Sequence, residues 1–221
     1  MRAESKNQLK RLLSYAEGEE RAESAADALS ERFGVLSDIA ESSPSALGAV
    51  GGLSDKSVML LLLASEATSR RVTDKFSFGV RHKPSEIIDY LKGLFIGESE
   101  ERIFLICFDG KMRTVSCDLA GSGAVNGSAF SVRRMVELAV LRGAKYAVLA
   151  HNHPVGFAEP SGDDIISTEA IAAALRTVRV ELLSHYVISG MNASRINGDM
   201  SVDRLDGGDM LKVASPTGMK N

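Results

Sequence analysis

The segment Ala150-His151-Asn152-His153-Pro154 is followed closely by Pro160-Ser161-Gly162-Asp163-Asp164, which sets two imidazoles, a hydroxyl and a carboxylate at metal-site spacing. The preceding run Tyr146-Ala147-Val148-Leu149-Ala150 has the apolar character of a short buried strand. In extended backbone, residues two apart project to the same face, so His151 and His153 can grip one ion. Pro154 disfavours helix at His153 and keeps the pair extended. The loop from Gly156 to Pro160 then leads to a helix beginning near Ser161, and Asp164 in its first turn can supply a third ligand.

Three ligands of type His, His and Asp leave the fourth position of a tetrahedral zinc ion open, the arrangement of a catalytic rather than a structural site. Water in that position would have its pKa lowered to about 7 and would become a nucleophile at neutral pH, while the ion polarises a carbonyl. Such chemistry needs a general base. The best source is upstream, where Glu98, Glu100 and Glu101 crowd the entrance to the apolar run Ile103-Phe104-Leu105-Ile106-Cys107-Phe108.

The pattern His151-Asn152-His153-Pro154-Val155-Gly156, then Pro160-Ser161-Gly162-Asp163-Asp164, resembles the metal motif of JAMM (MPN-type) metallopeptidases, and within them most closely the bacterial RadC family. The resemblance extends over Gly123 to Ser128, the helix from Ser131 to Gly143 and Ser184-His185-Tyr186-Val187-Ile188-Ser189-Gly190, and spans roughly Pro84 to Asp203. It implies His151, His153 and Asp164 as ligands to Zn2+, Glu101 as the base, and Ser161 as hydrogen-bond donor to the developing oxyanion. It also implies a protein or peptide substrate, cleaved at a peptide or isopeptide-like amide bond. The choice of Glu101 over Glu100 rests on counting back from the Asp109-Gly110-Lys111 turn by this likeness. The chain departs from the family at Ser184, where an Asp usually precedes the later His, so a supporting role of that carboxylate is missing.

Each residue also has a plainer reading. Ser161-x-x-Asp164 before an apolar helix is a capping-box pattern, and Glu101 alone would be a solvated strand-end charge. His185 lies in an apolar strand pattern and reads as a hydrogen-bonded core or pocket-wall residue; neither it nor His82 is expected to bind the metal.

With 221 residues, 44% of them hydrophobic and 25% charged, the chain can bury one sizeable core and a small second one. Its formal net charge of -3 supplies no global field for nucleic acid. Cys107 and Cys117 flank one turn and read as reduced core residues rather than a secreted disulfide framework. The polar N-terminus lacks a signal core, and no segment approaches the roughly 20 apolar residues of a membrane helix. A cytoplasmic protein is expected.

The patterning predicts α/β architecture: a mixed sheet flanked by helices, of JAMM/MPN-like type, behind a small all-α N-terminal domain. Residues 1–78 form the helical domain, 79–205 the hydrolase domain and 206–221 a disordered tail. Helices are expected over Ala22 to Phe33, Val35 to Ala40, Ser54 to Arg71, Glu86 to Phe95 with Ser85 as cap, Val132 to Arg142 and Asp163 to Thr177. Strands are expected over Arg102 to Phe108, Met112 to Leu119, Lys145 to His151 and Val180 to Ser189.

A second function class comes from Leu47-Gly48-Ala49-Val50-Gly51-Gly52-Leu53-Ser54-Asp55-Lys56, which resembles the helix-hairpin-helix segment preceding many RadC-type domains. In such hairpins a Gly-rich turn lets backbone N–H groups at a helix N-terminus approach DNA phosphate. Gly51, Gly52 and Lys56 would form that site. Ser54 in place of a second Gly, and Asp55 beside it, point instead to a helical cap and to weak DNA binding at most. The alternative function is accordingly a nucleic-acid-associated, DNA-repair-type protein whose metal fold is secondary or has lost peptidase activity.

Overall fold

A computed structural model describes residues 1–123, 131–154 and 156–205. The stretch from Ala124 to Ser128, Val155 and the expected tail from Asp206 lie outside the described residues. The chain divides into two compact units, one of Met1–Lys75 with Lys92–Ser99, the other of Phe76–Leu91 with the residues from Glu100 onward.

The first unit is helical, with α1 (Ala3–Glu17), α2 (Glu19–Phe33), α3 (Leu36–Ala40), α4 (Pro44–Gly48) and α5 (Asp55–Thr73). Apolar residues three and four apart place Leu9 and Leu13 of α1 against Ala22, Ala25, Ala26 and Leu29 of α2, and Ile39, Leu47 and Leu61 complete the buried cluster. Between the expected helices over Val35 to Ala40 and Ser54 to Arg71, α4 forms as well. Ser43 Oγ accepts from the Ala46 N–H at 3.1 Å and Pro44 takes the first helical position, where its missing N–H costs nothing.

Helix α6 (Pro84–Phe95) begins earlier than expected, and Ser85 lies inside it rather than capping it. Pro84 is preset for a first turn, and the Glu86 carboxylate reaches back to the Lys83 N–H at 2.7 Å. Gly93 is required near its end, because a Cβ there would stand 2.8 Å from Val72 Cγ1 of α5.

The second unit carries a six-stranded mixed sheet formed by β1 (Arg102–Phe108), β2 (Thr114–Ser122), β3 (Tyr146–Asn152), β4 (Glu181–Ser189), β5 (Asn192–Asn197) and β6 (Val202–Arg204), in the order β2-β1-β3-β4-β5-β6. Only β3 and β4 pair in parallel, and α8 (Gly162–Thr177) makes the crossover between them. The hairpin strands β5 and β6 were not expected from the sequence. The four longer strands and both helices were, each within a few residues of its observed limits.

Odd-numbered residues of β1 and β3 point to one face, where Ile103, Leu105, Cys107, Ala147 and Leu149 are buried against α7 (Val132–Leu141) and α8 through Met135, Leu138, Ile171 and Leu175. That alternation decides which side chains reach the end of the sheet together. Cys107 is buried in the core, whereas Cys117, also expected there, is half-buried on β2. Among the described residues no helix is long and apolar enough to cross a membrane.

Candidate metal centre

His151 continues the odd-numbered row of β3 beyond Leu149 and so faces α8 at the end of the strand. His153 follows on the same side, held by its backbone N–H to the Ile188 carbonyl at 2.8 Å and by Nδ1 to the Phe157 carbonyl at 2.9 Å. Because a carbonyl can only accept, Nδ1 of His153 carries the proton, and in the neutral ring Nε2 is the lone-pair nitrogen. Asp164 enters from the first turn of α8.

The ligand atoms of His151, His153 and Asp164 lie within 4.8 Å of one another. Nε2 of His151 is 3.0 Å from Nε2 of His153 and 3.4 Å from Asp164 Oδ1, while Asp164 Oδ2 is 3.7 Å from Nε2 of His153. Tetrahedral zinc with bonds of about 2.0 Å separates its ligand atoms by about 3.3 Å, close to the separations of 3.0 and 3.4 Å that His151 Nε2 makes with His153 and with Asp164 Oδ1. The donor set also fits: two imidazoles and one carboxylate are borderline ligands of the kind zinc takes.

Charge reinforces the geometry. Burial lowers the pKa of His151 to about 4, which keeps that ring neutral. At Asp164 burial alone would raise the pKa, but His153, His151 and the two Ser161 hydrogen bonds more than offset it and hold the carboxyl well below the usual range. The same carboxylate raises His153 above its ordinary value. A cation is thus favoured among these three groups, and a proton on His153 can serve in its absence.

Asp164 realises the capping reading while its carboxylate stays close to both histidines. Ser161 Oγ accepts from the Asp164 N–H at 3.1 Å, while Oδ2 of Asp164 accepts from the Ser161 N–H at 2.7 Å and from the Ser161 hydroxyl at 2.6 Å, a complete capping box. These bonds fix the carboxylate's orientation toward the histidines. They also commit the Ser161 hydroxyl hydrogen to Asp164, so that hydroxyl can reach an oxyanion only by turning its hydrogen away.

Glu101 precedes β1. Ile103 pairs with His151, and Asn152 is tied to Arg102, so continuing the register sets Glu101 across from His153 and in the row of Ile103 and Leu105, whereas Glu100 faces the other way. The Glu101 charge contributes to raising His153. Its backbone is clamped from both sides: Asn152 Oδ1 accepts from the Arg102 N–H at 2.7 Å, Asn152 Nδ2 donates to the Glu100 carbonyl at 3.1 Å, and the Gly123 N–H donates to the Glu101 carbonyl at 2.8 Å.

Two buried residues that the sequence did not single out for the site, Asn152 and Thr168, complete it together with His185, which the sequence read as a hydrogen-bonded core or pocket-wall residue. His185 Nε2 stands 2.8 Å from His151 Nδ1, its Nδ1 stands 2.7 Å from Thr168 Oγ1, and Thr168 Oγ1 donates to the Asp164 backbone carbonyl at 2.5 Å. Thr168 follows Asp164 by one helical turn, a spacing visible in the sequence. The placement of His185 beside His151 follows only from register, with His185 the β4 partner of Leu149. Ser184 pairs instead with Val148, on the opposite face of the sheet, so the carboxylate usual at that position would not point into this site.

In the helical unit, Gly52 adopts φ 87° in the turn before α5, and Ser54 caps that helix. Three donors at the start of α5 are engaged internally. Glu17 Oε1 accepts from both the Ser54 N–H and the Ser57 hydroxyl at 2.6 Å, and the Ser57 N–H goes to Ser54 Oγ at 3.3 Å. Gly51 and Lys56 are exposed.

A family model described as a RadC-like JAB domain matches residues 81–197. The chain is 33% identical over 166 residues to a UPF0758 protein of Methylibium petroleiphilum, covering 74% of each chain. It is 29% identical over 161 residues to one of Janthinobacterium sp., covering 72% of each. A UPF0758 protein of Acinetobacter baumannii is 30% identical over 163 residues, which are 73% of this chain and 69% of that one.

Proposed function

Because the chain belongs to the RadC family of JAB-domain proteins, we propose that it is a zinc-dependent hydrolase of a peptide or isopeptide-like amide bond in a protein or peptide substrate, working in the cytoplasm. The observation that carries this reading is the convergence of His151, His153 and Asp164 on one ion-sized space. Zinc held by these three residues would supply a water of pKa about 7 and a Lewis acid for the substrate carbonyl.

The chain's own groups divide the remaining work. Glu101, across from His153, takes up a proton at its carboxylate and returns it to the leaving amine. Asn152 holds the backbone on either side of Glu101, so that carboxylate meets the substrate in a set position. Ser161 orients Asp164 in the resting site and offers the oxyanion a hydrogen bond when its hydroxyl turns outward. Phe157, 80% exposed and next to His153 through its carbonyl, gives the mouth of the site an apolar contact.

The nucleic-acid reading draws on no comparable observation, and Glu17 accepts from two donors beside the Gly51-Gly52 turn, the Ser54 N–H and the Ser57 hydroxyl. Metal analysis of the purified protein, followed by an unbiased screen of peptides and isopeptide conjugates, tests the proposal. One zinc per chain and cleavage abolished by Glu101→Gln are expected. Absence of zinc, or cleavage that survives chelation, would refute it.

A further inference from the structure

We propose that His185 and Thr168 are positioning residues that fix the tautomer of His151, so that His151 Nε2 is presented to the metal as a lone-pair donor. The assignment follows from hydrogen bonds that run in only one direction. A backbone carbonyl cannot donate, so the Asp164 carbonyl accepts the Thr168 hydroxyl hydrogen at 2.5 Å. That hydroxyl has no second hydrogen. Toward His185 Nδ1, at 2.7 Å, it must accept, which places the His185 proton on Nδ1. His185 Nε2 is then an acceptor, and the 2.8 Å contact with His151 Nδ1 requires the His151 proton to sit there. Nε2 of His151, the atom facing His153 and Asp164, is left with its lone pair.

The chain of bonds starts and ends on ligand residues. It leaves the Asp164 backbone, passes through Thr168 of the same helix and His185 of β4, and returns to His151 of β3. Thr168 is 1% exposed and His185 fully buried, so water cannot readily replace a missing member. Outer partners that fix the ring of a metal-bound His commonly govern its affinity, and their loss costs roughly 10- to 100-fold.

The zinc part of the test rests on the metal centre proposed above; the tautomer part does not. In zinc-free protein under mildly alkaline conditions, long-range proton–nitrogen correlation should show His151 and His185 both protonated on Nδ1. His151 protonated on Nε2 would overturn the proposal whatever the protein binds. Zinc affinity, measured against a chromophoric chelator, should fall roughly 10- to 100-fold in His185→Leu and by less in Thr168→Val. His185→Gln should remain within about threefold of the unaltered protein, because an amide can accept from His151 Nδ1 and donate to Thr168.

A purely structural role predicts the reverse order, since a buried Leu is tolerated better than a buried Gln. His185→Leu with unchanged zinc affinity, or His185→Gln no better than His185→Leu, would therefore refute positioning while leaving the metal centre standing. Should His185→Leu fail to fold, Thr168→Val and His185→Gln still decide. If the unaltered protein takes up no zinc, the metal reading falls and the tautomer measurement alone judges this proposal.

Discussion

Glu17 offers the sharpest test of whether the helical unit is built to hold phosphate or to hold itself together. Its carboxylate is almost completely buried and accepts two hydrogen bonds of 2.6 Å, from the Ser54 N–H and the Ser57 hydroxyl at the start of α5. The Ser54 side chain, the Ser57 side chain and the Ser54 N–H together lower its pKa from 4.5 to about 2. Hydrogen bonds to a charged group contribute about 1.5–3 kcal/mol each. Glu17→Ala removes both and strands two donors, so a loss of about 3 kcal/mol in the stability of the helical unit is expected after allowance for solvent reaching the turn. Glu17→Gln keeps an acceptor oxygen without the charge and should lose about half of that.

The pH dependence has a definite sign. A carboxyl whose pKa is depressed in the folded state contributes fully above its unfolded value and progressively less as pH falls toward the folded value. The helical unit should therefore weaken between pH 4.5 and about 2, and Glu17→Gln should abolish this part of the acid loss. Hydrogen exchange at the amides of Leu9, Leu13 and Leu61, within the helical core, reads that unit separately from the sheet. The same variants test the DNA question. Releasing the two donors in Glu17→Ala should strengthen phosphate or duplex DNA binding, whereas the unaltered chain should bind no tighter than roughly 10⁻⁶ M at physiological salt. A Glu17→Ala cost below about 1 kcal/mol, or sub-micromolar, salt-sensitive DNA binding by the unaltered protein that Lys56→Glu abolishes, would refute the reasoning.

Replacing both His151 and His153 by Ala should empty the metal centre while both cores stay folded; full zinc stoichiometry in that double variant would exclude the ligand assignment. Since Asp164 raises the pKa of His153, zinc must displace a proton there, so zinc affinity should climb as pH rises through the His153 titration and calorimetry in buffers of different ionisation heat should detect proton release. An affinity independent of pH would contradict this. Glu101→Gln should retain zinc and lose hydrolysis, with Glu100→Gln nearly neutral; the opposite pattern would mean that the register at the entrance of β1 is misplaced.

Legibility in the sequence followed the strength of local patterning. The apolar runs of β1 and β3 and the capped start of α8 were readable because each carries its own signal over several residues. Strand β5 was not, since Asn192-Ala193-Ser194-Arg195-Ile196-Asn197 buries mainly small or polar side chains and depends on pairing with β4 for its conformation. Gly190, at φ 56° in the short turn between these strands, was the one local hint of a hairpin. For α4, the Ser-Pro pair that starts the helix looks the same in sequence as a pair that merely breaks one.

The candidate site shows the same division more sharply. His151, His153 and Asp164 stand close together in the chain, so their spacing reported them directly. Of the residues that hold them, His185 does not share that proximity. His185 reaches His151 because α8 crosses from β3 to β4 and brings His185 alongside Leu149, a relation that only strand register expresses. Asn152 was in plain view between the two histidines, yet it points to the other face of β3 and acts there on the backbone around Glu101. The end of β3 thus directs neighbouring residues to two faces, His151 toward the proposed metal centre and Asn152 toward the backbone around Glu101. A substitution at Asn152 should accordingly disturb proton transfer while leaving zinc affinity nearly intact, and Asn152→Ala should be recognised by that separation.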